Sequence, residues 1–556
     1  MKKLIIAATA IVALTIAGSV TAKNNKKDVA RNLETFNALY KELNTFYVDS
    51  IDPERSIKIA ITAMLDDIDP YTEYIPYKEQ AEFTSMTTGE YAGIGSFIME
   101  RDGNVYISEP QEGAPAQLAG LRPGDMLLVI DNDSVTGWKS SKVSEKLKGQ
   151  PGTQVKVRVK RPYVSDSILD FTIVRRKIQM PSVPYYGVEK DNIGYIALTS
   201  FTDKSPEEVK TALLELKKDP RVKAIALDLR GNGGGLLESA VKIIGLFVPK
   251  GTEVLRTRGK SVTQEKVYKT TQPPVDTEIP LAILVDNRTA SASEIVSGAL
   301  QDLDRAVIVG NRSFGKGLVQ STRELPFEGL LKVTIAKYYI PSGRLIQAID
   351  YSHRNPDGSV GRIPDSLTHV FHTANGREVR DGGGITPDVT VTYPEINRLT
   401  YNIVQDNWAF DFANKYAACH ESIGSPKDFV ITDTIYADFK RFIDPARFNY
   451  DRVCETMLKE LREAAKREGY MNDSTTEAFS HLEKMLKHNL ERDLDINRDA
   501  ISPYLAREIV QRYYFDRGQI ANGLKTDAGL DTVSSLLNDT SRYRRLLSPQ
   551  HSTAKK

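Results

Sequence analysis

From Tyr185 to about Tyr393, short runs of uninterrupted apolar residues alternate with amphipathic stretches, and glycine-rich turns join them. The strand candidates are Gly194–Leu198, Ala224–Leu229, Leu281–Val285, Ala306–Val309 and Leu331–Tyr339. The helix candidates are Pro206–Lys218, Leu237–Phe247 and Ala292–Leu300. A strand that is apolar at nearly every position has no face to offer water. The alternation therefore predicts an α/β unit whose sheet is covered on both sides.

The flanks read differently. Before the α/β stretch, Leu33, Phe36, Tyr40, Leu43 and Tyr47 recur at helical spacing. A second helical run, Arg55–Leu65, stops at Asp69-Pro70, because proline disfavours a helical residue before it. From Glu90 to about Val183 the text is short strands with glycine turns. Gly93-Ile94-Gly95 opens one, Val105–Ile107, Met126–Ile130, Val155–Arg161 and Leu169–Arg175 follow, and a short helix is stopped by Gly120. Beyond about Asn397 the chain is polar and helical, with amphipathic stretches at Tyr450–Glu468, Thr475–Leu494 and Ile501–Phe515, and the last residues from His551 read as a frayed tail. A chain of 556 residues should hold two to four domains.

Charge excludes one class. With 74 basic and 73 acidic residues there is no basic excess to bind nucleic acid. Met1-Lys2-Lys3, an apolar run from Leu4 to about Ala17 and then Val20-Thr21-Ala22 follow the order of a secretory signal, with cleavage expected after Ala22. The run is shorter than the ~20 apolar residues needed to span a bilayer. No cysteine directly follows it, so a lipid anchor is not expected, and no later segment is long and apolar enough to cross a membrane. An exported protein, periplasmic or associated with the cell envelope, is the expectation. Cys419 and Cys454 can pair in such a compartment but are no disulfide framework. The seven histidines show no metal-ligand spacing, and no metal or cofactor is expected.

Three stretches carry chemistry. In Val285-Asp-Asn-Arg-Thr-Ala-Ser-Ala-Ser-Glu-Ile295 a buried strand runs into a loop that delivers serines to a helix start, where free N–H groups can stabilise an oxyanion. Taken alone, Ser291-x-x-Glu294 reads as a capping box. In Val309-Gly-Asn-Arg-Ser-Phe-Gly-Lys-Gly-Leu-Val-Gln320, Lys316 lies between two glycines beside a buried strand, although lysines avoid interiors. Desolvation would ease its deprotonation and let it act as a general base. Gln320, four residues on, shares its face in either a strand or a helix and can hold the amine. An ordinary solvated lysine is the competing reading. The third stretch, Ala226-Leu-Asp-Leu-Arg-Gly-Asn-Gly-Gly-Gly235, presents backbone N–H groups ahead of a helix. It lacks the text of a phosphate-binding loop, so the amide of Gly234 or Gly235 would instead join that of Ala292 in an oxyanion hole. All histidines follow Ser291, starting at His353, and Ser291 is not in G-x-S-x-G. A lysine base accounts for the missing histidine.

Together with the β-rich segment, these stretches resemble the carboxy-terminal processing peptidases (tail-specific proteases, family S41) over roughly residues 30–393. Thr289-Ala-Ser-Ala-Ser-Glu-Ile, Phe314-Gly-Lys-Gly-x-Val-Gln and Asp228-Leu-Arg-Gly-Asn-Gly-Gly-Gly are the most specific parts, joined by Asp69-Pro-Tyr-Thr and Tyr339-Ile-Pro-Ser-Gly-Arg-Leu-Ile-Gln. The resemblance implies a multidomain α/β fold, with a crotonase/Clp-protease-like serine protease core, an inserted β-rich PDZ domain and helical N- and C-terminal regions. The divisions are 1–22 signal peptide, 23–88 helical region, 89–178 PDZ domain, 179–396 protease core and 397–556 helical region.

It further implies Ser291, not Ser293, as nucleophile, Lys316 as base and Gln320 as its support. The oxyanion donors would be the turn around Gly234 and Gly235, Gly235 foremost, with Ala292. In the PDZ domain, Gly93-Ile94-Gly95 would hold a peptide carboxylate, and a helix Val143–Lys148 would form the far wall through Val143 and Leu147. Partners would be protein or peptide substrates with accessible C-termini. The long C-terminal region has dimerisation, wrapping of the core or docking of an adaptor protein open to it, with packing as the default. An inactive PDZ scaffold and a crotonase-like thioester enzyme are the rival functions.

Overall fold

The computed structural model describes residues 26–549 apart from 166, 356 and 451–452. The expected signal peptide, 1–22, and the tail 551–556 lie outside the described residues. The chain forms two compact units, one ending at Tyr74 and one beginning at Ile75.

In the first unit residues 26–46 and Pro53–Asp66 are helical. Asp52 caps the second helix by accepting the Arg55 N–H, and Pro53 sits where its missing N–H costs nothing. The hydroxyls of Tyr40 and Ser56 join the helices at 2.9 Å. Asp69 Oδ1 accepts the N–H groups of Tyr71 and Thr72, both at 2.8 Å, so the Asp-Pro text closes a local turn.

The second unit is built on a six-stranded sheet. Its order is Tyr185–Val188, Ile193–Ala197, Ala224–Asp228, Leu281–Val285, Val307–Gly310 and Val389–Thr390; the first pair is antiparallel and the rest parallel. Helices Ser205–Lys218, Leu237–Ile244 and Ala292–Asp302 bury one face. The opposite face is covered from the far end of the chain: Leu530, Val533, Leu536 and Tyr543 pack on Ala226, Ala282, Leu284 and Val307. Arg230 pins this cover. It pairs with Asp228 and, at 2.8 Å, with Asp527, which caps helix Ala528–Asn538 by accepting the Leu530 N–H. The default packing role of the C-terminal region is thus a specific one, namely the second cover of the sheet.

Leu331–Tyr339 departs from expectation. The strand, Leu330–Tyr339, lies in a second, antiparallel sheet between Glu253–Gly259 and Leu318–Glu324. Its interspersed Lys332, Thr334 and Lys337 leave most of it half-exposed, unlike the core strands. The helical stretch expected at Thr475–Leu494 is two helices, Asp473–Leu486 and Leu490–Ile496, because Asn489 caps the second. The one expected at Ile501–Phe515 runs from Arg498 to Gly523, with Phe515 non-helical at φ 54°. Cys419 and Cys454 are free and exposed, so the pairing is not formed. No helix among the described residues is long and apolar enough to cross a membrane.

The β-rich domain is a sheet ordered Ser96–Arg101, Asn104–Pro110, Met126–Ile130, Gln154–Lys160, Ile168–Val174. Burial alternates strictly along Gln154–Lys160, the pattern of a strand with one wet face. Entry and exit strands Glu90–Gly93 and Arg176–Gln179 pair with each other, so the insertion closes at its neck. Arg101 binds Asp411 at 3.0 Å and ties the domain to the C-terminal helices.

Candidate active site

Three neighbouring parallel strands deliver the three chemical stretches to one edge. The glycine turn leaves the carboxyl end of Ala224–Asp228, the serine loop that of Leu281–Val285 and the lysine loop that of Val307–Gly310. Ligand sites of open α/β sheets form at such an edge.

The serine loop is stitched to the glycine turn. Thr289 Oγ1 donates to the Leu229 carbonyl at 2.9 Å, and Ala290 N–H donates to that of Asn232 at 3.1 Å. Ser293 is fully buried, and its hydroxyl donates to the same Asn232 carbonyl at 2.9 Å. Ser291 stands half-buried at the N-cap of Ala292–Asp302, with φ 57° and ψ −117°. A serine held there stores strain of about 1–3 kcal/mol, as functional turns often do. Structure therefore separates the two serines that the motif leaves side by side.

Gly234 lies against this turn. A Cβ on it would stand 2.8 Å from Ser291 Cβ and 2.9 Å from Ala292 N. Only a glycine keeps that space open. Its own N–H, however, donates to Asn232 Oδ1 at 2.9 Å. That corrects the expectation of Gly234 as an oxyanion donor, since its amide is already engaged, and leaves the amides of Gly235 and Ala292 among those expected. Gly235, at φ 146°, packs backbone to backbone on Phe201, whose carbonyl would be 2.3 Å from a Cβ.

The lysine loop is clamped on both sides. Gly315 carbonyl accepts the Ala348 N–H at 2.9 Å, and Gly317 N–H donates to Gln347 Oε1 at 2.7 Å. Cβ atoms at these glycines would meet Ala348 Cβ at 2.4 Å and Gln347 N at 2.8 Å, so the flanking glycines do permit the close approach. Lys316 is half-buried. The buried Tyr338 hydroxyl lies 2.7 Å from the Lys316 carbonyl and 3.2 Å from that of Ser291. The shared-face argument for Lys316 and Gln320 needs correction, since residues 312–317 are loop and a bulge falls between Val319 and Gln320. Gln320 instead faces its cross-strand partner Thr334, to whose hydroxyl Nε2 donates at 3.2 Å.

Glu294 was legible only as a cap. Its Oε2 accepts the Ser291 N–H at 2.8 Å and also the Lys316 N–H at 2.9 Å. Oε1 accepts the Gly315 N–H at 2.7 Å and the Ser313 hydroxyl. Burial pushes this carboxyl up to about 7, against the pull of those hydrogen bonds. One signal was available: an acidic residue in a helix otherwise apolar or small through its first two turns.

In the β-rich domain, Ser96–Arg101 is an edge strand beside helix Ser140–Leu147. Gly93 ends the entry strand, and Gly95, at φ 72°, approaches Ala114 too closely for any side chain. Val143 and Leu147, expected to form a groove wall, are buried in the domain's own core, as is the side chain of Ile94, whose expected part was its backbone amide. Their side chains offer a peptide little surface.

Residues 192–360 match the family described as Peptidase family S41, residues 106–161 a PDZ domain, and residues 399–537 a family described as Probable PDZ-protease, C-terminal helical domain. The chain is 30% identical to a Probable CtpA-like serine protease of Staphylococcus aureus (strain N315) over 500 residues, which are 89% of this chain and 90% of that one. A protein of the same name from Staphylococcus haemolyticus (strain JCSC1435) is 32% identical over 408 residues, 73% of this chain and 80% of its own. Among solved structures, a photosystem II D1 C-terminal processing protease is 26% identical, covering 65% of this chain and 87% of that one, with a TM-score of 0.36.

Proposed function

The chain belongs to the S41 peptidases, as a CtpA-like serine protease carrying a PDZ domain, and from that premise we propose an exported endopeptidase that reads the C-terminal tails of its substrates and cleaves them with a Ser291–Lys316 dyad. The observation that carries this reading is the convergence of the serine, lysine and glycine loops at one sheet edge, with the Tyr338 hydroxyl reaching the carbonyls of both Ser291 and Lys316.

Lys316, in its neutral form, takes the Ser291 proton as the serine oxygen attacks a peptide carbonyl. With Gln320 Nε2 engaged by Thr334, Oε1 is the atom left to orient the lysine amine. The amides of Ala292 and Gly235 bind the oxyanion of the tetrahedral intermediate, in the space Gly234 keeps open. Lys316 returns the proton to the leaving amine, and water releases the acyl-enzyme. In the PDZ domain a substrate tail adds beside the edge strand Ser96–Arg101, with its carboxylate at Gly93–Gly95 and the helix carrying Val143 and Leu147 on the far side. Cleavage after Ala22 and a periplasmic or envelope location complete the reading.

The test uses the mature chain and an unstructured protein substrate. Ser291→Ala and Lys316→Ala should each lower cleavage by about a thousandfold or more. A serine-directed fluorophosphonate should label the wild type and not Ser291→Ala. Cleavage retained by either variant overturns the dyad, and an unlabelled, inactive wild type supports the scaffold instead.

A further inference from the structure

We infer that Glu294 is the positioning residue of this dyad: its carboxylate sets the register between the nucleophile loop and the lysine loop. The inference rests on the Ser291–Lys316 reading. A helix-capping glutamate needs only one bond, the N–H of the cap residue, here Ser291. Glu294 makes three more, to Ser313, Gly315 and Lys316, and all three lie on the loop that follows a different strand. It is fully buried, so none of its accepting capacity goes to water.

The chemistry demands an acid. A carboxylate offers about four lone-pair sites and no donor, and here four donors converge on it. The Ser313 oxygen in turn accepts the Ile385 N–H at 2.7 Å, so the hydroxyl bridges Glu294 to that segment. An amide in place of the acid would aim its own NH₂ at backbone N–H donors in either orientation, at those of Ser291 and Lys316 or at that of Gly315. Burying a carboxylate is costly unless it is fully hydrogen-bonded, and a cap alone does not require that burial. The arrangement does hold the strained Ser291 turn and the Lys316 backbone on a single oxygen. Released from it, Ser291 would relax towards an ordinary cap and carry its hydroxyl away from the lysine.

The experiment compares Glu294→Gln, Glu294→Asp and Ser313→Ala with the wild type and with Ser291→Ala and Lys316→Ala. Readouts are kcat and KM on a short peptide, the fluorophosphonate acylation rate and thermal melting. Displacing reacting groups by about 1 Å costs on the order of a hundredfold. Glu294→Gln should therefore melt cooperatively while kcat and acylation fall by about that factor, with KM held within about threefold. Glu294→Asp should recover part of the loss, and Ser313→Ala, which removes one donor, should lose about tenfold in kcat. If Glu294→Gln fails to fold, Ser313→Ala decides. Wild-type kcat in a folded Glu294→Gln or, failing that, in Ser313→Ala overturns the inference. So does loss that follows only the unfolded fraction. Activity in Ser291→Ala or Lys316→Ala would instead overturn the dyad itself.

Discussion

Ser291 and Lys316 share one hydrogen-bond acceptor, Oε2 of Glu294, which takes the backbone N–H of the first at 2.8 Å and of the second at 2.9 Å. Their carbonyls lie on a second common atom, the Tyr338 hydroxyl. The two residues are therefore related through rigid backbone, and the freedom left to the pair is that of their side chains. Backbone hydrogen bonds of this kind can hold two loops at a fixed separation, although loops are otherwise the least rigid parts of a fold.

The buried carboxyl predicts opposite pH slopes for stability and activity. In the unfolded chain Glu294 loses its proton near the ordinary value of about 4.3, but in the folded protein only at about 7. Between those values the folded state holds a proton that the unfolded state has released. Its contribution to stability is therefore fully present below the lower value and disappears as pH rises through the upper one. The ionised form is the one that accepts four donors, so kcat should rise over the same window. Melting temperatures of wild type and Glu294→Gln from pH 5 to 8 isolate the stability slope, because glutamine does not titrate. A difference that stays flat with pH would show that Glu294 does not ionise there.

Ser293 should be dispensable for chemistry. Its hydroxyl donates to the Asn232 carbonyl, which still accepts the Ala290 N–H when that bond is lost. Ser293→Ala is expected to cost about 1 kcal/mol of stability, seen as a small fall in urea midpoint, with kcat within about threefold of wild type. A kcat collapse like that of Ser291→Ala would mean that the two serines have been assigned the wrong way round.

What the sequence shows and hides follows from the range of each interaction. Leu281–Val285 has the bounds expected of it because all five residues are apolar and all five are buried in the sheet. Gly315 and Gly317 announce a close approach, but only the fold says that Gln347 and Ala348 make it. Lys316 and Gln320 looked paired on period alone, and a bulge broke the period. Val143 and Leu147 do share a helix face, yet a pattern of spacing cannot tell a groove wall from a core. Glu294 is the clearest case. Its local partner Ser291 is three residues away and readable, whereas Lys316 is close only after two parallel strands have paired.

Two adjacent glycines should fail differently. At Gly234→Ala the added Cβ meets Ser291 Cβ and Ala292 N with φ at 100°, so it fills the space proposed for the oxyanion. Loss of one oxyanion interaction costs about a hundredfold or more in kcat, with KM little changed, and the melt should stay cooperative at a lowered temperature, because the Cβ also lies 2.8 Å from the Ala290 carbonyl oxygen. At Gly235→Ala the Cβ would lie 2.3 Å from a backbone carbonyl, that of Phe201, which also accepts the Leu236 N–H. That variant should lose folding itself, visible as a low or absent thermal transition. A folded, active Gly234→Ala would remove the oxyanion site from this position.

The far end of the serine helix should matter to the lysine. Arg344 and Asp302 are a fully buried pair, with Nη2 of the arginine 2.8 Å from both Asp302 Oδ1 and Gln301 Oε1. From Arg344 the chain runs directly to Gln347 and Ala348, which clamp Gly317 and Gly315 on either side of Lys316. Removing one partner strands a buried charge, at a cost of about 3–5 kcal/mol, whereas replacing both by apolar residues of similar size is often nearly neutral. Asp302→Ala and Arg344→Met should each destabilise strongly, and the Asp302→Leu/Arg344→Met double variant should recover much of the loss in urea unfolding. Activity separates scaffold from site. The double variant, refolded but lacking the anchor of the 344–348 segment, should still turn over more slowly than wild type at a temperature where both are folded. Full activity there would mean that Gln347 and Ala348 hold the lysine loop without help from the helix end.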